Sequence, residues 1–287
     1  MGPGSGRALT AIVETGHAKI NLALHVRARE ADGYHAIETI FAFARDGDEL
    51  RVAPADELTF EIVGPYAAAL EGEDSDTNLV MRAARALQAA FAVEAGAAIR
   101  LDKRLPVASG IGGGSADAGA ALRALCRLWA LPVEDARLGE IAAGLGADVP
   151  ACLVSRTAWA DGRGDRLTMM DGEGLAGMPL LLVNPGIACP TGPVFRGWDG
   201  KDRGGLGDGD PLAAALAGRN DLEPPARALV PEVAEALALL ARQPGVMLAR
   251  MSGSGATCFA LFESEVARDA AVAAARPEWW RLNTVLI

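Results

Sequence analysis

The chain has 287 residues, of which 51% are hydrophobic and 22% are charged, a composition typical of a globular protein with room for two modest domains. Its formal net charge of −10 argues against general binding to nucleic acid or to an anionic membrane. An anionic substrate would therefore have to be held by local features such as backbone amides, a lysine or a metal ion.

The four cysteines lie far apart in the sequence, at Cys126, Cys152, Cys189 and Cys258. They form no Cys-x-x-Cys pair, so we expect no zinc site and no disulfide framework, but reduced thiols in a cytoplasmic protein.

The uncharged run over residues 174–195 contains four prolines, which excludes a regular membrane-spanning helix. The chain does not open with a basic segment followed by an apolar one, so no secretory signal is expected. Residues 1–5, Met-Gly-Pro-Gly-Ser, resemble a tag remnant outside the predicted fold.

The first predicted element is a half-buried strand over residues 19–26, in which apolar residues alternate with polar ones. Lys19, Asn21 and His25 fall on its polar face. An isolated lysine at the start of a strand is most often solvated, and the residues alone favour that interpretation for Lys19.

A turn, several strands and a helix are predicted between residues 32 and 101. The Asp-Gly turn at residues 32–33 leads directly into Tyr34 and His35. The elements predicted after it are strands over residues 36–43, 48–52, 58–63 and 97–101, and a helix over residues 78–92.

A glycine-rich loop is the most informative stretch. Residues 106–118 read Pro-Val-Ala-Ser-Gly-Ile-Gly-Gly-Gly-Ser-Ala-Asp-Ala, and a helix-forming run to residue 128 follows. Glycine lets another group approach the backbone, and a helix start presents free N–H groups beside the positive end of its dipole, which favours phosphate binding. Ser115 and Asp117 are the predicted N-caps of this helix. A plain surface linker is disfavoured because the loop leads directly into the helix.

Other phosphate-binding motifs are excluded. A P-loop requires a Gly-Lys-Ser/Thr ending, and no lysine lies between Lys103 and Lys201. The dinucleotide fingerprint would need glycine or alanine at Ser115, and the protein-kinase motifs are absent.

The second half begins with a helix predicted over residues 133–145. Asp148 follows in a short turn before a proline, where the plain interpretation of a lone aspartate is a turn cap. A glycine-rich stretch near residue 164 predicts a boundary between domains of residues 1–164 and 165–287. The elements predicted beyond it are strands over residues 180–183, 246–250, 258–262 and 282–287, and helices over residues 231–242 and 266–275.

Residues 251–257, Met-Ser-Gly-Ser-Gly-Ala-Thr, form a second loop of small residues between two predicted strands. Such a loop fits either a tight hairpin or a site where two backbones approach closely.

Three separated stretches, residues 18–24, 106–118 and 252–262, resemble the three motifs of the GHMP kinases. The glycine loop is similar to their phosphate-binding motif Pro-x-x-x-Gly-Leu-Gly-Gly-Gly-Ser-Ser, with Ile111 for the leucine and Ala116 for the second serine. The resemblance implies an α+β fold of two domains, with an N-terminal α/β ATP-binding domain and a C-terminal ferredoxin-like domain. The active site would lie in the cleft between them.

Within this superfamily, residues 18–22 and 32–35 most resemble the branch that phosphorylates a cytidylated sugar alcohol in non-mevalonate isoprenoid synthesis. The resemblance implies that Lys19 and Asp148 form the catalytic pair. The carboxylate would accept the proton of the alcohol, and the ammonium would stabilise charge on the transferred phosphoryl group. ATP and Mg²⁺ are the implied cofactors, and the sequence does not identify the Mg²⁺ ligands.

The resemblance also implies the binding residues. Those expected to bind ATP are Asn78, Lys103, Pro106, Ser109, Gly110, Ile111, Gly112, Gly113, Gly114, Ser115 and Asp117. Among them, Asn78 and Lys103 match positions that line the adenine pocket. Those expected on the cytidine side are Asn21, Tyr34, His35 and Phe195, with Tyr34 and Phe195 as the two stacking faces.

Three alternatives remain. A sister kinase acting on mevalonate, phosphomevalonate or homoserine is disfavoured by Tyr34 and His35, because those substrates carry no base. A catalytically inactive, ligand-sensing protein of the same fold is disfavoured by the presence of Lys19 and Asp148. An RNA-binding module is disfavoured by the net charge. The expected partner is therefore a small molecule, with no nucleic acid and no membrane, and a monomer and a homodimer are equally open.

Overall fold

The computed structural model describes residues 11–72, 74, 76–207 and 209–287, so the prediction about residues 1–5 lies outside the described residues. Two β-sheets with helices packed on them make up this part of the chain. The larger sheet contains β1 (Ile12–Arg29), β2 (His35–Ala55), β3 (Leu58–Val63), β4 (Gly96–Asp102), β5 (Ala158–Asp161) and β6 (Arg166–Met169). Its strand order is β3-β4-β2-β5-β6, with β1 also paired to β2. Only β3 and β4 run parallel among these described pairs.

Four helices accompany the larger sheet. They are α1 (Leu79–Phe91), α2 (Gly113–Leu128), α3 (Ala136–Leu145) and α4 (Val149–Val154), and a 3₁₀ turn covers Ala67–Leu70. A core between helices and strands includes Leu50, Leu87, Ile99, Leu122 and Leu138. The helix α2, which follows the glycine loop, also packs against β1 and β2. The loop is therefore attached to a helix at the centre of the domain.

The second sheet contains β7 (Pro179–Asn184), β8 (Val246–Met251), β9 (Cys258–Phe262) and β10 (Trp280–Val285), in the order β10-β7-β9-β8. Its helices are α5 (Thr191–Arg196), α6 (Pro211–Ala217), α7 (Glu223–Leu229), α8 (Glu232–Ala241) and α9 (Glu265–Ala274). The chain order β7-α8-β8-β9-α9-β10 with this antiparallel strand order is that of a ferredoxin-like domain, which confirms the expectation for the C-terminal half.

The predicted break between strands over residues 36–43 and 48–52 was wrong, because β2 is one continuous strand. Asp48 is fully buried, and its carboxylate accepts hydrogen bonds from the backbone N–H groups of Arg104 (2.5 Å) and Leu105 (2.8 Å). This anchor keeps the polar stretch before Asp48 in the sheet, opposite β1. The β1 strand is buried on both faces rather than one, because Ile20 and Leu22 also pack against the second sheet.

Several predicted boundaries also change. Gly112 precedes the first residue of α2, so the prediction that Ser115 and Asp117 are N-caps was wrong; both lie inside the helix. The helix α3 starts three residues later than predicted, after Asp135, whose carboxylate accepts the N–H of Arg137. The sequence prediction missed β5, β6, α4, α5, α6 and α7, which are all short. Because β6 pairs with β5, the larger sheet continues past residue 164, and we now propose the domain boundary between β6 and β7.

The two sheets are joined by a buried arginine of β8. The guanidinium of Arg250 donates to the carbonyl groups of Leu22 (2.5 Å), Ala215 (2.7 Å) and Gly218 (2.6 Å). Burial lowers the pKa of Arg250 to about 10, which still leaves it charged at neutral pH. These bonds hold β8, and the loop after it, against β1. None of the helices in the described ranges is both long and apolar enough to span a bilayer.

Candidate active site

The three sequence motifs meet where the two sheets adjoin. The Ser252 hydroxyl donates to the carbonyl of Gly110 (2.9 Å) and accepts the N–H of Asn21 (3.2 Å). The N–H of Lys19 donates to the carbonyl of Ile111 (3.0 Å). The middle of β1, the glycine loop and the second small-residue loop therefore form one hydrogen-bonded unit.

Glycine is required where these two loops cross. Gly110 has a φ of +79°, and a Cβ atom there would lie 2.7 Å from the carbonyl oxygens of both Ser252 and Gly255. Real Cβ atoms do not approach backbone that closely, so this crossing needs glycine at position 110. Of the two interpretations of residues 251–257, the close approach of two backbones is therefore confirmed.

Lys19 and Asp148 form an ion pair at this junction, with Nζ 3.1 Å from Oδ2. Lys19 is buried; its Nζ also donates to the Asn21 side chain (3.1 Å) and lies 4.7 Å from the centroid of the Phe41 ring. Asn21 is fixed in turn by its bond to Thr39 (2.8 Å). Asp148 precedes α4 but caps no backbone N–H, so the solvated-lysine and turn-cap interpretations are both wrong.

A cavity of about 970 Å³ opens beside this pair. Its size suits a cofactor or substrate, and its wall contains residues of both halves of the chain. The predicted site residues on this wall are Lys19, Asn21, Tyr34, His35, Ser109, Gly110, Gly112, Gly113, Gly114, Ser115, Asp148 and Phe195. The structure thus brings the predicted catalytic pair, phosphate loop and cytidine-side residues to one cavity.

Aromatic side chains line the end of the cavity formed by the start of β2 and by α5. The buried His35 ring lies 5.2 Å from the Phe195 ring and 5.8 Å from the Trp198 ring, between centroids. Its Nε2 accepts a hydrogen bond from Arg29 Nε (3.2 Å), which assigns the ring proton to Nδ1. Burial, with the charge of Arg29, lowers the pKa of His35, so the ring is neutral at pH 7. Tyr34 is 59% exposed and offers a flat ring surface.

A second cavity, of about 320 Å³, also borders the glycine loop. The predicted residues on its wall are Asn78, Lys103, Pro106, Gly113, Gly114 and Asp117. The Asn78 side chain caps α1 by accepting the N–H of Val80 (2.9 Å). The predicted residue that reaches neither cavity is Ile111, which is fully buried in the core and anchors the loop.

Lys103 is held in a buried cluster below the loop. Its Nζ lies 2.5 Å from Asp48 and 2.6 Å from Asp117, and all three side chains are almost fully buried. Burial alone would lower the pKa of Lys103, but the two carboxylates raise it, so the ammonium stays charged. Burial raises the pKa of Asp117, partly offset by Lys103. Two of the three N–H donors of the ammonium are therefore engaged within the protein.

The structure adds wall residues that sequence reasoning missed: Asp32, Arg163, Asp165, Thr191 and Ser254. They come from turns and from the start of α5, and single turn residues carry no periodic signal. Thr191 and Ser254 share a hydrogen bond (3.0 Å) that connects α5 to the second small-residue loop. Across the described ranges, no three His, Cys, Asp or Glu side chains are grouped to hold a metal ion.

Gly112→Ala should lower kcat at least ten-fold without unfolding the protein. Gly112 has a φ of +64°, where a side chain costs about 1–2 kcal/mol, and its Cβ would lie 3.0 Å from Lys19 Cε. The clash would displace Lys19 from Asp148. The matched control is Gly139→Ala, because a Cβ at this exposed position meets nothing within 4 Å. Steady-state kinetics and thermal melts of both variants check the prediction, and normal kcat for Gly112→Ala would contradict it.

The two-domain fold, the glycine loop and the Lys19–Asp148 pair together define a class of protein. This class is the ATP-dependent small-molecule kinases of the GHMP type. The family models described as the GHMP kinases N terminal domain and the GHMP kinases C terminal match residues 78–156 and 202–281. The chain belongs to the GHMP kinase family, and its enzymatic class is that of a kinase.

Full-length relatives narrow the assignment. The 4-diphosphocytidyl-2-C-methyl-D-erythritol kinase of Rhizorhabdus wittichii is 61% identical over 276 residues, covering 95% of this chain and 94% of the relative. The enzyme of that name from Novosphingobium aromaticivorans is 50% identical, covering 99% and 95%. Within the GHMP kinases, the chain therefore belongs with the 4-diphosphocytidyl-2-C-methyl-D-erythritol kinases.

Solved structures agree with this placement. A crystal structure of 4-(cytidine 5'-diphospho)-2C-methyl-D-erythritol kinase superposes with a TM-score of 0.79 at 34% identity, covering 96% of this chain and 99% of that one. A homoserine kinase from Cytophaga hutchinsonii superposes at 0.66 with 18% identity, covering 100% and 98%, which shows the shared fold alone. The expected α+β fold of a two-domain GHMP kinase is confirmed.

Proposed function

We propose that this kinase transfers the γ-phosphate of ATP to the 2-hydroxyl of 4-diphosphocytidyl-2-C-methyl-D-erythritol. The observation that carries the proposal is the single cavity whose wall holds the glycine loop, the Lys19–Asp148 pair and the aromatic residues Tyr34, His35 and Phe195. A phosphate donor, a reacting hydroxyl and a nucleobase would each find a matching part of that wall. The names of the similar full-length relatives support the same substrate.

The geometry of the Lys19–Asp148 pair supports the chemistry that we propose for it. Asp148 is 37% exposed to the cavity and takes the proton of the substrate hydroxyl as the new O–P bond forms and ADP leaves. Lys19 orients Asp148 and stabilises the charge of the transferred phosphoryl group. The backbone N–H groups of the glycine loop and the N-terminus of α2 hold the phosphates, while the smaller cavity beside Asn78 takes the adenine.

Mg²⁺ would arrive bound to the ATP phosphates and neutralise part of their charge. On the cavity wall the Ser115 hydroxyl would hold it, with water completing the shell. This sparse donor set suits a metal that keeps several waters.

We place the reaction in the cytoplasm, in keeping with four buried, unpaired cysteines.

The direct test is an ADP-release assay with Mg-ATP and four acceptors: the cytidylated methylerythritol, mevalonate, phosphomevalonate and homoserine. We expect turnover with the first alone. Turnover with one of the others alone would overturn the assignment of the aromatic end to cytosine while keeping the catalytic pair. Binding of ATP without turnover of any acceptor would indicate a ligand-sensing protein.

Tyr34→Ala should raise KM for the cytidylated substrate about 5- to 150-fold and leave KM for ATP unchanged. The reason is that stacking a base on an aromatic ring contributes about 1–3 kcal/mol. Steady-state kinetics with each substrate varied in turn provide the measurement. The control is Tyr66→Ala, since the other tyrosine of the chain lines neither cavity. An unchanged KM for the cytidylated substrate would mean that the base stacks elsewhere.

A further inference from the structure

We propose that Arg163 is a positioning residue of the cytosine site, which holds the Tyr34 ring in place by covering the ring face opposite to the one that stacks on the base. Arg163 lies in the turn between β5 and β6, more than one hundred residues from Tyr34 in sequence. Its Cζ lies 4.1 Å from the centroid of the Tyr34 ring, a distance typical of a cation–π contact. This inference rests on the proposed function, because it concerns how that site takes its base.

The turn that carries Tyr34 is tied to Arg163 by charge. The Arg163 guanidinium donates to Glu30 (2.7 Å) and to Asp32, the two carboxylates of this turn. Asp32 also accepts the N–H of Tyr34 (3.1 Å), and the N–H of Glu30 donates to the Tyr34 carbonyl (2.8 Å). Arg163 thus contacts the ring itself and both residues that fix its backbone.

The turn that carries Arg163 is itself fixed against the sheet. The Asp165 carboxylate accepts the N–H of Arg163 (3.0 Å), and the N–H of Ile37 donates to the Gly162 carbonyl (2.8 Å). The guanidinium therefore has a defined position beside the start of β2, which Tyr34 immediately precedes.

The exposure of Tyr34 explains why such a support matters. A tyrosine that is 59% exposed would otherwise sample several rotamers, and binding a base would have to order it. Arg163 covers one face, and both side chains lie on the cavity wall that also holds His35 and Phe195. The ring is therefore pre-organised, with its free face available to the base.

The same contacts separate this role from direct phosphate binding. The Arg163 guanidinium is already paired with two carboxylates, so its charge is largely neutralised before any ligand arrives. A residue devoted to the substrate diphosphate would keep its donors free. The effect of Arg163 should therefore be felt through the base and not through the phosphates.

The test is a double-mutant cycle with Arg163→Ala, Tyr34→Ala and the combined variant. We expect Arg163→Ala to raise KM for the cytidylated substrate about five-fold, with kcat and KM for ATP unchanged. In the Tyr34→Ala background the same change should add nothing. Arg163→Lys keeps the charge and loses the flat guanidinium, so its KM for the cytidylated substrate should lie between those of the unmodified enzyme and Arg163→Ala. This conservative variant guards against a folding defect. The control is Arg166→Ala in the same hairpin, because Arg166 pairs with Asp161 and makes no contact with Tyr34.

Competitive inhibition by cytidine and by CDP distinguishes the outcomes. An equal loss of affinity for both inhibitors in Arg163→Ala is the expected result. A loss confined to CDP would overturn the proposal in favour of phosphate binding, and additive effects of the two substitutions would overturn the coupling. If the unmodified enzyme turns over the cytidylated substrate and Arg163→Ala leaves KM and both inhibitor affinities unchanged, this inference alone is overturned. An unmodified enzyme that neither binds cytidine nor turns over the cytidylated substrate would overturn the proposed function as well.

Discussion

Replacing Asp148 by asparagine should lower kcat by about 10²–10⁴-fold and leave ATP affinity nearly intact. The amide keeps the size of the side chain and can still accept a hydrogen bond from Lys19, 3.1 Å away, but it cannot take the proton of the substrate hydroxyl. The phosphates are held by the glycine loop, which this substitution does not touch. The measurement is single-turnover phosphoryl transfer together with a direct titration of ATP binding.

The control for Asp148→Asn is Asp171→Asn, the same substitution at an exposed turn residue outside both cavities. It should leave kcat and ATP affinity unchanged. A normal kcat for Asp148→Asn would remove Asp148 from the role of base. Equal losses of kcat and ATP affinity would mean that Asp148 acts by shaping the phosphate site instead.

The elements with strong local patterns were predictable. The helix after Asn78, the strand before the glycine loop and the second half of β1 all follow from short-range periodicity. The failures came where tertiary contacts outweigh local pattern. In the sequence, Asp48 has the pattern of a residue in a polar turn. Its buried carboxylate nevertheless accepts the N–H groups of Arg104 and Leu105, just before the glycine loop, and β2 continues through Asp48.

The catalytic pair shows the limit of residue-by-residue reasoning. Taken alone, Lys19 was best explained as a solvated strand residue and Asp148 as a turn cap. Only the family resemblance paired them. Nothing local relates a strand residue to one 129 positions later, whereas the folded chain places their charged atoms 3.1 Å apart. Arg163 carries no signal of its own either, because its partners Glu30 and Tyr34 belong to a different turn.

Lys103→Met should lower the free energy of unfolding by about 3–5 kcal/mol, the cost of leaving buried carboxylates without their counter-ion. Lys103 was predicted to line the adenine pocket, and it does border the smaller cavity, but its ammonium is engaged by Asp48 and Asp117. Methionine keeps the unbranched stem and removes the charge together with the two hydrogen bonds to Asp48 and Asp117. Urea unfolding provides the measurement, and any loss of ATP affinity should follow from displacement of the loop.

The destabilisation should depend on pH in a defined direction. Burial already raises the pKa of Asp117, and loss of Lys103 removes the charge that partly offsets this shift. The folded variant would then hold a proton that the unfolded chain releases above about pH 4, so its stability falls as pH rises from there. The unmodified protein, in which the ammonium balances a carboxylate, should lose less over the same range.

Two comparisons separate the structural role of Lys103 from a nucleotide-binding role. Arg100→Met removes an exposed partner of Glu61 from β4, the strand that ends just before Lys103, and should cost less than about 1 kcal/mol. Adding Asp48→Asn and Asp117→Asn to Lys103→Met removes the unpaired charges and should restore much of the lost stability. If Lys103→Met instead unfolds normally in urea and loses only ATP affinity, then Lys103 serves the nucleotide directly, and the buried cluster is not what holds the glycine loop in place.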